Sequence, residues 1–351
     1  MRAERPLLTL AVPTCNRSKY LAQLLFGLCE QLVAHPEIEL LISDNASSDA
    51  TRSLVSEFEN RLPNLRYLRN EINLGPDANF LQCLQEAKGK YVWLLGDDDI
   101  IVPGSLDKIA RLLDHSDYSL VYVRPYPFRD EAKMGRENDR FGRFAQKIPN
   151  GAPFIRIVGP MITFISSLIV NKARYEQSQW WSKLESLIGT NLIQLGWSLP
   201  ILASGGESLI IWDKILAARV GNSGGYGICR VFGKNLNELL ATTVSHDDKI
   251  RRILINSTLR DWFPTTIIQI RYSIAGFHEE EDFHTLLEGL YRSNWRYWVY
   301  VSPVIGLPRL AARAWWAGMD AINRGVRLLE LILNLLRWRG CFIRSQRYLD
   351  Q

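Results

Sequence analysis

The run Tyr91-Val92-Trp93-Leu94-Leu95 is apolar from end to end and opens directly onto Gly96-Asp97-Asp98-Asp99. A strand with no polar face must be covered on both sides, as a strand inside a parallel sheet is. Its carboxyl end delivers three adjacent carboxylates to one place. Like charges that close are costly unless a cation is shared. The chain is therefore expected to form an α/β domain with a polar site at the carboxyl edge of its sheet, where ligands bind in open α/β folds. Mg²⁺ and Mn²⁺ prefer oxygen ligands, and Mg²⁺ combines one or two carboxylates with substrate phosphates. The plain alternative is a solvated turn, where Asp is common.

The first 125 residues repeat this strand-then-helix alternation. Leu7–Val12 is an apolar run ending at Pro13. Ser18–Val33 carries apolar residues at 21, 24, 25, 28 and 32, the stripe of a helix. Strands are expected at 39–43, 65–69, 91–95 and 118–123, and helices at 49–58, 77–87 and 105–113. Strands joined by helices of that length imply right-handed crossovers and a mostly parallel sheet. Further along, Thr163–Val170 reads as a strand, and Trp180 to about Leu202 as a helix leading into a strand. Residues 126–150 and 205–230 read as loops. After Asp247 the chain reads as mainly helical, ending in a long helix with Met319, Ile322, Val326, Leu329, Leu333 and Leu336 on one stripe.

Polar clusters follow the first three strands as well: Pro13-Thr14-Cys15-Asn16-Arg17, then Asp44-Asn45-Ala46-Ser47-Ser48-Asp49, then Asn70-Glu71-Ile72-Asn73-Leu74-Gly75. Arg17 can reach a phosphate. Asp44 can accept a hydrogen bond from the ring N–H of uracil or the amino group of cytosine. Asp49 reads as a helix cap. Asn73 and Gly75 shape a turn, Gly75 through its φ freedom. The acidic stretch His278–Asp282, with His284, reads as a solvated helix face, and His246-Asp247-Asp248 as a cap.

The five cysteines have no C-x-x-C spacing, which argues against a zinc site and a disulfide framework and fits a reducing compartment. No apolar run reaches the roughly 18 residues that span a bilayer, so a cytoplasmic protein is expected. The formal charge of +5 resides in residues 303–351, which hold eight arginines, no lysine and three acids. Trp315, Trp316 and Trp338 lie among them. A helix with leucine and tryptophan on one side and arginine elsewhere suits an anionic membrane surface. The alternative is a helix that packs on the domain or in a dimer. Nucleic acid is not expected, since no lysine cluster or binding motif accompanies the arginines.

Together, P-T-C-N-R at 13–17, D-N-A-S-S-D at 44–49, N-L-G at 73–75 and Y-V-W-L-L-G-D-D-D at 91–99 resemble the family 2 glycosyltransferases with the GT-A fold. The resemblance covers residues 7–125 and extends weakly to about 230. It implies a transferase domain over 1–245, with a nucleotide-binding half at 1–125 and an acceptor half at 126–245. A helical region with a basic amphipathic tail follows at 246–351. By resemblance, Pro13, Thr14 and Arg17 line the nucleotide pocket, and Asp44 reads a pyrimidine base. Asn45, Asn73 and Gly75 lie close to the nucleotide. Asp97, Asp98 and Asp99 carry the divalent metal, Mg²⁺ or Mn²⁺, with Asp98 as the direct ligand and Asp97 toward the ribose or a metal water. Gly96 stands where the family often has its first acid.

The segments 164–170 and 219–224 look similar to bacterial enzymes that add sugars, including dideoxyhexoses such as abequose, to O-antigen or capsule intermediates. The implied reaction takes a nucleotide-diphosphate sugar, inverts its anomeric centre and glycosylates a polyprenyl-linked or other glycan. A general base is needed. Glu185, Glu207 and Asp213 are candidates, Glu185 being favoured for its place at a helix start after Trp180-Trp181. Those tryptophans are either an acceptor platform or core. Gly189-Thr190-Asn191 puts an amide in the usual acidic place. A peripheral enzyme on the inner face of the cytoplasmic membrane follows from this reading. A nucleotidyltransferase is disfavoured because 13–17 lacks a glycine-rich phosphate loop. A non-catalytic sugar-nucleotide-binding or scaffold protein is the alternative from another class.

Overall fold

A computed structural model describes residues 5–114, 116–128, 145–178, 180–221, 225–272 and 282–326. Its strands are β1 (Leu8–Thr14), β2 (Ile38–Asp44), β3 (Leu65–Arg69), β4 (Tyr91–Leu94), β5 (Ile100–Ile101), β6 (Leu120–Phe128), β7 (Ala145–Pro149), β8 (Leu168–Asn171) and β9 (Glu207–Arg219). They join in one sheet in the order β3-β2-β1-β4-β8-β6-β9-β5, with β7 pairing β9. Four helices follow the first strands: α1 (Ser18–Val33), α2 (Thr51–Glu59), α3 (Pro76–Glu86) and α4 (Ser105–Asp114).

Side chains alternate across a strand, and β1 uses that period to build two cores. Leu8, Leu10 and Val12 point to the side of α1, α2 and α4, where they meet Leu21, Leu24, Leu25, Leu28, Val55, Phe58, Leu106 and Ile109. Ala11, with Leu41, Val92 and Leu94 from the neighbouring strands, points to the other side and joins Leu81 and Leu84 of α3. Burying each such leucine stabilises the fold by about 2 kcal/mol. Gly89 admits the chain to β4. A Cβ there would lie 2.5 Å from the backbone nitrogen of Thr9 and 2.7 Å from the carbonyl carbon of Leu8.

The pairs β1–β2, β2–β3 and β1–β4 are parallel. Beyond β4 the expectation of a mostly parallel sheet gives way to a mixed one. β8 enters between β4 and β6, antiparallel to both, so the strand at 118–123 does not neighbour β4. The expected strand at 163–170 is shorter: 3₁₀ turns occupy Gly159–Thr163 and Ile165–Ser167 before β8 begins. The Ser167 hydroxyl donates to the carbonyls of Met161 and Phe164 and holds that winding. The expected helix at 180–202 is broken. A 3₁₀ helix, Trp181–Leu187, is separated from the α-helix Gln194–Ala203 by Gly189 at φ +92° and Asn191 at φ +56°. Half of the loop expected at 205–230 is β9, a 13-residue strand that shifts register against β6 between Val123 and Pro125. That irregularity accommodates Asp213 and Lys214 in mid-strand.

The C-terminal region is helical as expected, over 236–243, 248–257, 263–271, 283–291, 302–306 and 309–326. Asp247 caps one of these helices by accepting from the N–H groups of Lys249 and Ile250. Asp282 caps another at His284 and Thr285. Leu254, Phe263, Leu287, Tyr291 and Tyr297 join the same apolar cluster as α3. The acidic stretch at 278–281 and the tail from 327, with Leu329, Leu333, Leu336 and Trp338, lie outside the described residues.

Candidate active site

β1 and β2 run in register to their carboxyl ends, where Thr14 pairs with Asp44. The N–H of Leu95 donates to the carbonyl of Ala11, so the acidic loop leaves β4 beside the end of β1. The Thr14 hydroxyl donates to Asp97 Oδ2 at 2.7 Å. Arg17 lies at the start of α1. Its Nε is 2.9 Å from Asp97 Oδ1 and its Nη2 is 2.7 Å from Asp98 Oδ2. These are close ion contacts, yet neither buried donor has an aligned hydrogen bond. Asp99 Oδ1 accepts the backbone N–H of Arg219 at 3.0 Å, and the Arg219 guanidinium donates to the Asp98 carbonyl at 3.2 Å. Both guanidiniums lie over the ring of Tyr20, at 5.0 and 5.1 Å.

Burial is the main force on these acids. It pushes Asp97 up to about 6, with the Arg17 charge and the Thr14 hydroxyl opposing. It pushes Asp99 up to about 7, against hydrogen bonds from Ser166 and Arg219 and with help from the Asp98 charge. Asp98 is the most exposed of the three, at 16% of its side chain. A Cβ built on Gly96 would lie 3.1 Å from Asp99 Oδ2, 3.2 Å from Asp98 Oδ1 and 3.3 Å from Ser166 Oγ. Hard oxygen donors thus surround the space that an acidic residue at 96 would fill. This donor chemistry fits Mg²⁺ or Mn²⁺. Among the described residues no three His, Cys, Asp or Glu side chains form a ready-made metal cluster. The protein's share of such an ion is then one or two carboxylates, the arrangement Mg²⁺ uses with phosphates.

The second cluster is tied into the third. Asp44 is fully buried. Its Oδ1 accepts the Ser47 N–H at 2.8 Å, and its Oδ2 accepts the Tyr67 hydroxyl and lies 3.4 Å from Arg69 Nε. Burial first, then the Asp44 carboxylate, push the Tyr67 phenol up. Asn45 donates to Asn73 Oδ1 at 2.7 Å and to the Gly75 carbonyl at 3.1 Å, and accepts from Leu74 N–H at 2.9 Å. Asn45, Asn73 and Gly75 are therefore one hydrogen-bonded unit. Gly75 has φ +84°, a left-handed value that favours glycine. Pro13 continues β1, buried, beside Thr14. Asp49 serves two helices: it accepts from Ser18 N–H at the start of α1 and from the Thr51 N–H and hydroxyl at the start of α2.

The acceptor-side candidates are more dispersed. Glu185 is exposed on the 3₁₀ helix. Glu207 is 3.5 Å from Lys147, and Asp213 is 3.8 Å from Lys108. Trp180 and Trp181 are half-buried against the core, with Lys183 over the first ring and Lys172 over the second. Sequence reasoning missed two residues here. Arg219, read only as part of a family-like segment, reaches the acidic loop. Asp77, read only as a helix start, is 2% exposed. Its Oδ2 accepts the N–H groups of Gly189 and Asn191, each at 2.8 Å, while its Oδ1 is buried with no donor. Burial raises its pKa against those hydrogen bonds.

Residues 9–172 match the family model for glycosyl transferase family 2. The chain is 33% identical over 185 residues to the abequosyltransferase RfbV of Salmonella typhimurium, covering 48% of this chain and 54% of RfbV. It is 31% identical over 107 residues to the Campylobacter jejuni GalNAc(5)-diNAcBac-PP-undecaprenol beta-1,3-glucosyltransferase, covering 30% of this chain and 34% of that protein. The chain thus spans about half the length, or less, of these curated relatives. Among solved structures it is similar to residues 1–349 of Staphylococcus aureus TarS in complex with UDP-GlcNAc, with TM-score 0.58 and 18% identity over 91% of this chain and 92% of that one. It is also similar to the Pyrobaculum calidifontis mannosyltransferase PcManGT in complex with GDP-Man and Mn²⁺, with TM-score 0.50 and 15% identity over 92% and 88%. These likenesses show the GT-A fold that the sequence led us to expect.

Proposed function

From the premise that residues 9–172 are a family 2 glycosyltransferase domain, we propose that the protein moves a sugar from a nucleotide-diphosphate sugar to a hydroxyl of a glycan acceptor. The setting is cell-surface polysaccharide synthesis, and the reaction inverts the anomeric centre. The observation that carries this reading is the convergence of Thr14, Arg17, Asp97 and Asp98 at the joint carboxyl ends of β1 and β4.

Arg17 is placed to turn from the acidic loop to the donor's diphosphate, since its two buried N–H groups lack aligned partners. Asp44 shapes the base site through Tyr67 and Arg69. Asn45 holds Asn73 and Gly75 at its wall. Asp98 is the residue that would hold a divalent metal, with Asp97 and Asp99 supporting it. When bound, Mg²⁺ or Mn²⁺ would stabilise the charge of the departing diphosphate. The Mn²⁺ complex of PcManGT, a protein of the same fold, supports the use of a divalent metal. Glu185 is the candidate base for the acceptor hydroxyl, with Trp180 and Trp181 beside it.

The acceptor is a lipid-linked glycan. The Campylobacter relative, a GalNAc(5)-diNAcBac-PP-undecaprenol glucosyltransferase, and the basic C-terminal sequence support this reading. Among the described residues no helix is long and apolar enough to cross a membrane. The proposed location is peripheral, on the inner face of the cytoplasmic membrane, with residues 1–245 as the transferase unit.

The test is binding and hydrolysis across UDP-, CDP-, GDP- and dTDP-sugars with Mg²⁺, Mn²⁺ or EDTA. A metal-dependent response to one donor is expected. Among the described residues the acceptor-side candidates are the exposed Glu185 and the lysine-paired Glu207 and Asp213, which favours a second reading, a non-catalytic sugar-nucleotide-binding scaffold. Donor binding without turnover, and a biological role that survives Asp98→Ala, would select it.

A further inference from the structure

Between Glu288 and Asp320 the sequence has no acid and no lysine, but it has Arg292, Arg296, Arg309 and Arg313 together with Trp295, Trp298, Trp315 and Trp316. The fold gathers the two ends of this stretch. The Trp315 indole N–H donates to the Val299 carbonyl at 2.9 Å, and the Trp298 indole to the Arg292 carbonyl at 2.8 Å. The Tyr272 hydroxyl donates to the Arg309 carbonyl at 2.8 Å, and the Arg313 guanidinium lies 5.5 Å from that ring. Arg296 stacks 4.4 Å over Trp295.

Trp316 turns inward, against the core, with its N–H toward Thr265. The other three indoles do not: Trp295 is 56% exposed, Trp298 50% and Trp315 42%, and Leu310 of the same stretch is 80% exposed. Asp261, Asp320 and Glu288, acids at the edge of this face, lie beside Arg260, Arg324 and His284. A patch of outward indoles fringed by Arg292, Arg296, Arg309 and Arg313 matches one partner chemistry. Tryptophan settles at the headgroup level of a bilayer, and arginine gains from anionic lipid phosphates.

We propose that residues 292–315 form a docking face for an anionic phospholipid surface. The proposal deepens the membrane contact of the proposed function, on which it rests. It places that contact in the folded body ahead of residue 327, where the sequence alone had pointed to the tail.

The test is sedimentation of the full chain with vesicles of phosphatidylcholine alone or with 30% phosphatidylglycerol. Binding to the anionic vesicles that weakens with salt is expected. Replacing the four arginines by glutamine should lower partitioning more than a hundredfold, at about fivefold for each arginine near the surface. The combined Trp295→Ser, Trp298→Ser and Trp315→Ser variant should lower it at least tenfold. Unchanged melting temperature and donor binding would show that each variant is folded; if one is not, Arg292→Glu and Trp298→Ser are tested singly. Full binding by both variants would overturn the proposal and move the contact to residues 327–351. Tighter binding to an oligonucleotide duplex than to vesicles would also overturn it, as would a dimer in solution that the same substitutions dissociate. A silent donor panel with vesicle binding intact would sink the transferase reading and leave this face standing.

Discussion

The carboxylate of Asp77 accepts the backbone N–H of Gly189 at 2.8 Å, across 112 residues of sequence. That bond joins the first turn of α3, which follows the Asn73–Gly75 unit, to the turn before the helix at 194–203. One oxygen of Asp77 takes two donors and the other takes none. Asp77→Ala strands two buried N–H groups and should cost about 2–4 kcal/mol. Asp77→Asn keeps an acceptor oxygen and removes a buried charge, so it should cost less than about 1.5 kcal/mol. Urea unfolding of the two variants measures the difference. Equal losses would mean that the charge itself, and not the acceptor, holds the turn.

If Asp98 holds the divalent cation, Arg17, 2.7 Å from its Oδ2, competes with that cation for it. Arg17→Gln should therefore raise Mn²⁺ affinity several-fold, read by electron paramagnetic resonance of free Mn²⁺ without substrate. The same variant should weaken donor binding about tenfold, the loss of one charge-assisted contact of about 1.5 kcal/mol. Mn²⁺ affinity that falls in the variant would exclude the competition.

Tyr67→Phe removes the hydroxyl that Asp44 Oδ2 accepts in a fully buried setting. The cost should be about 1–3 kcal/mol of stability. Nucleotide affinity should fall with it, because the same carboxylate holds the Ser47 turn. A thermal melt with and without nucleotide separates the two effects. A variant that binds nucleotide normally would detach Asp44 from the base site.

Asp49 gives the fold an acid-sensitive joint. Burial pushes its pKa up, but hydrogen bonds from Thr51 and Ser18 outweigh burial and bring it down to about 2, from 3.8. A lowered folded pKa contributes stability that is present above pH ~4 and is lost as pH falls toward 2. Asp49→Asn should flatten that limb of the stability-versus-pH curve and leave the neutral side offset by about 1 kcal/mol. Chemical denaturation at intervals from pH 2 to 7 gives the comparison.

If Glu185 takes the acceptor proton, Glu185→Gln should lower turnover by about 10²–10⁴ with donor binding unchanged. Its exposure on the 3₁₀ helix means that stability should not move. A drop of less than tenfold would remove it from the chemistry.

The edge of the site was legible because it depends on short-range pattern. An apolar run that ends in three acids, and a second that ends in Pro13-Thr14, already place Thr14, Arg17 and Asp97 at strand ends; the structure adds that β1 and β4 are neighbours. β8 was misjudged in length because the turns that shorten it are held by Ser167, whose hydroxyl partners lie three and six residues back. β9 was missed because charge at Asp213 and Lys214 breaks its alternation, and only pairing with β6 and β7 makes it a strand. Asp77 and Arg219 went unread for a related reason. Each side chain bonds a backbone group more than 100 residues away, Asp77 the Gly189 N–H and Arg219 the Asp98 carbonyl, and no local spacing encodes such a partner.

The bond from Arg219 to Asp99 also sets a schedule for the growing chain. It spans 120 residues, so at a synthesis rate of about 5–20 residues per second the acidic loop waits roughly 6–24 s for its last support. During that interval the nascent protein can lay down β1 to β4 and bury their leucines. Asp97 and Asp98 can meet Thr14 and Arg17 in that time, but Asp99 lacks the Arg219 N–H until β9 emerges. The ribosome thus releases the parallel half of the sheet before it releases a finished site.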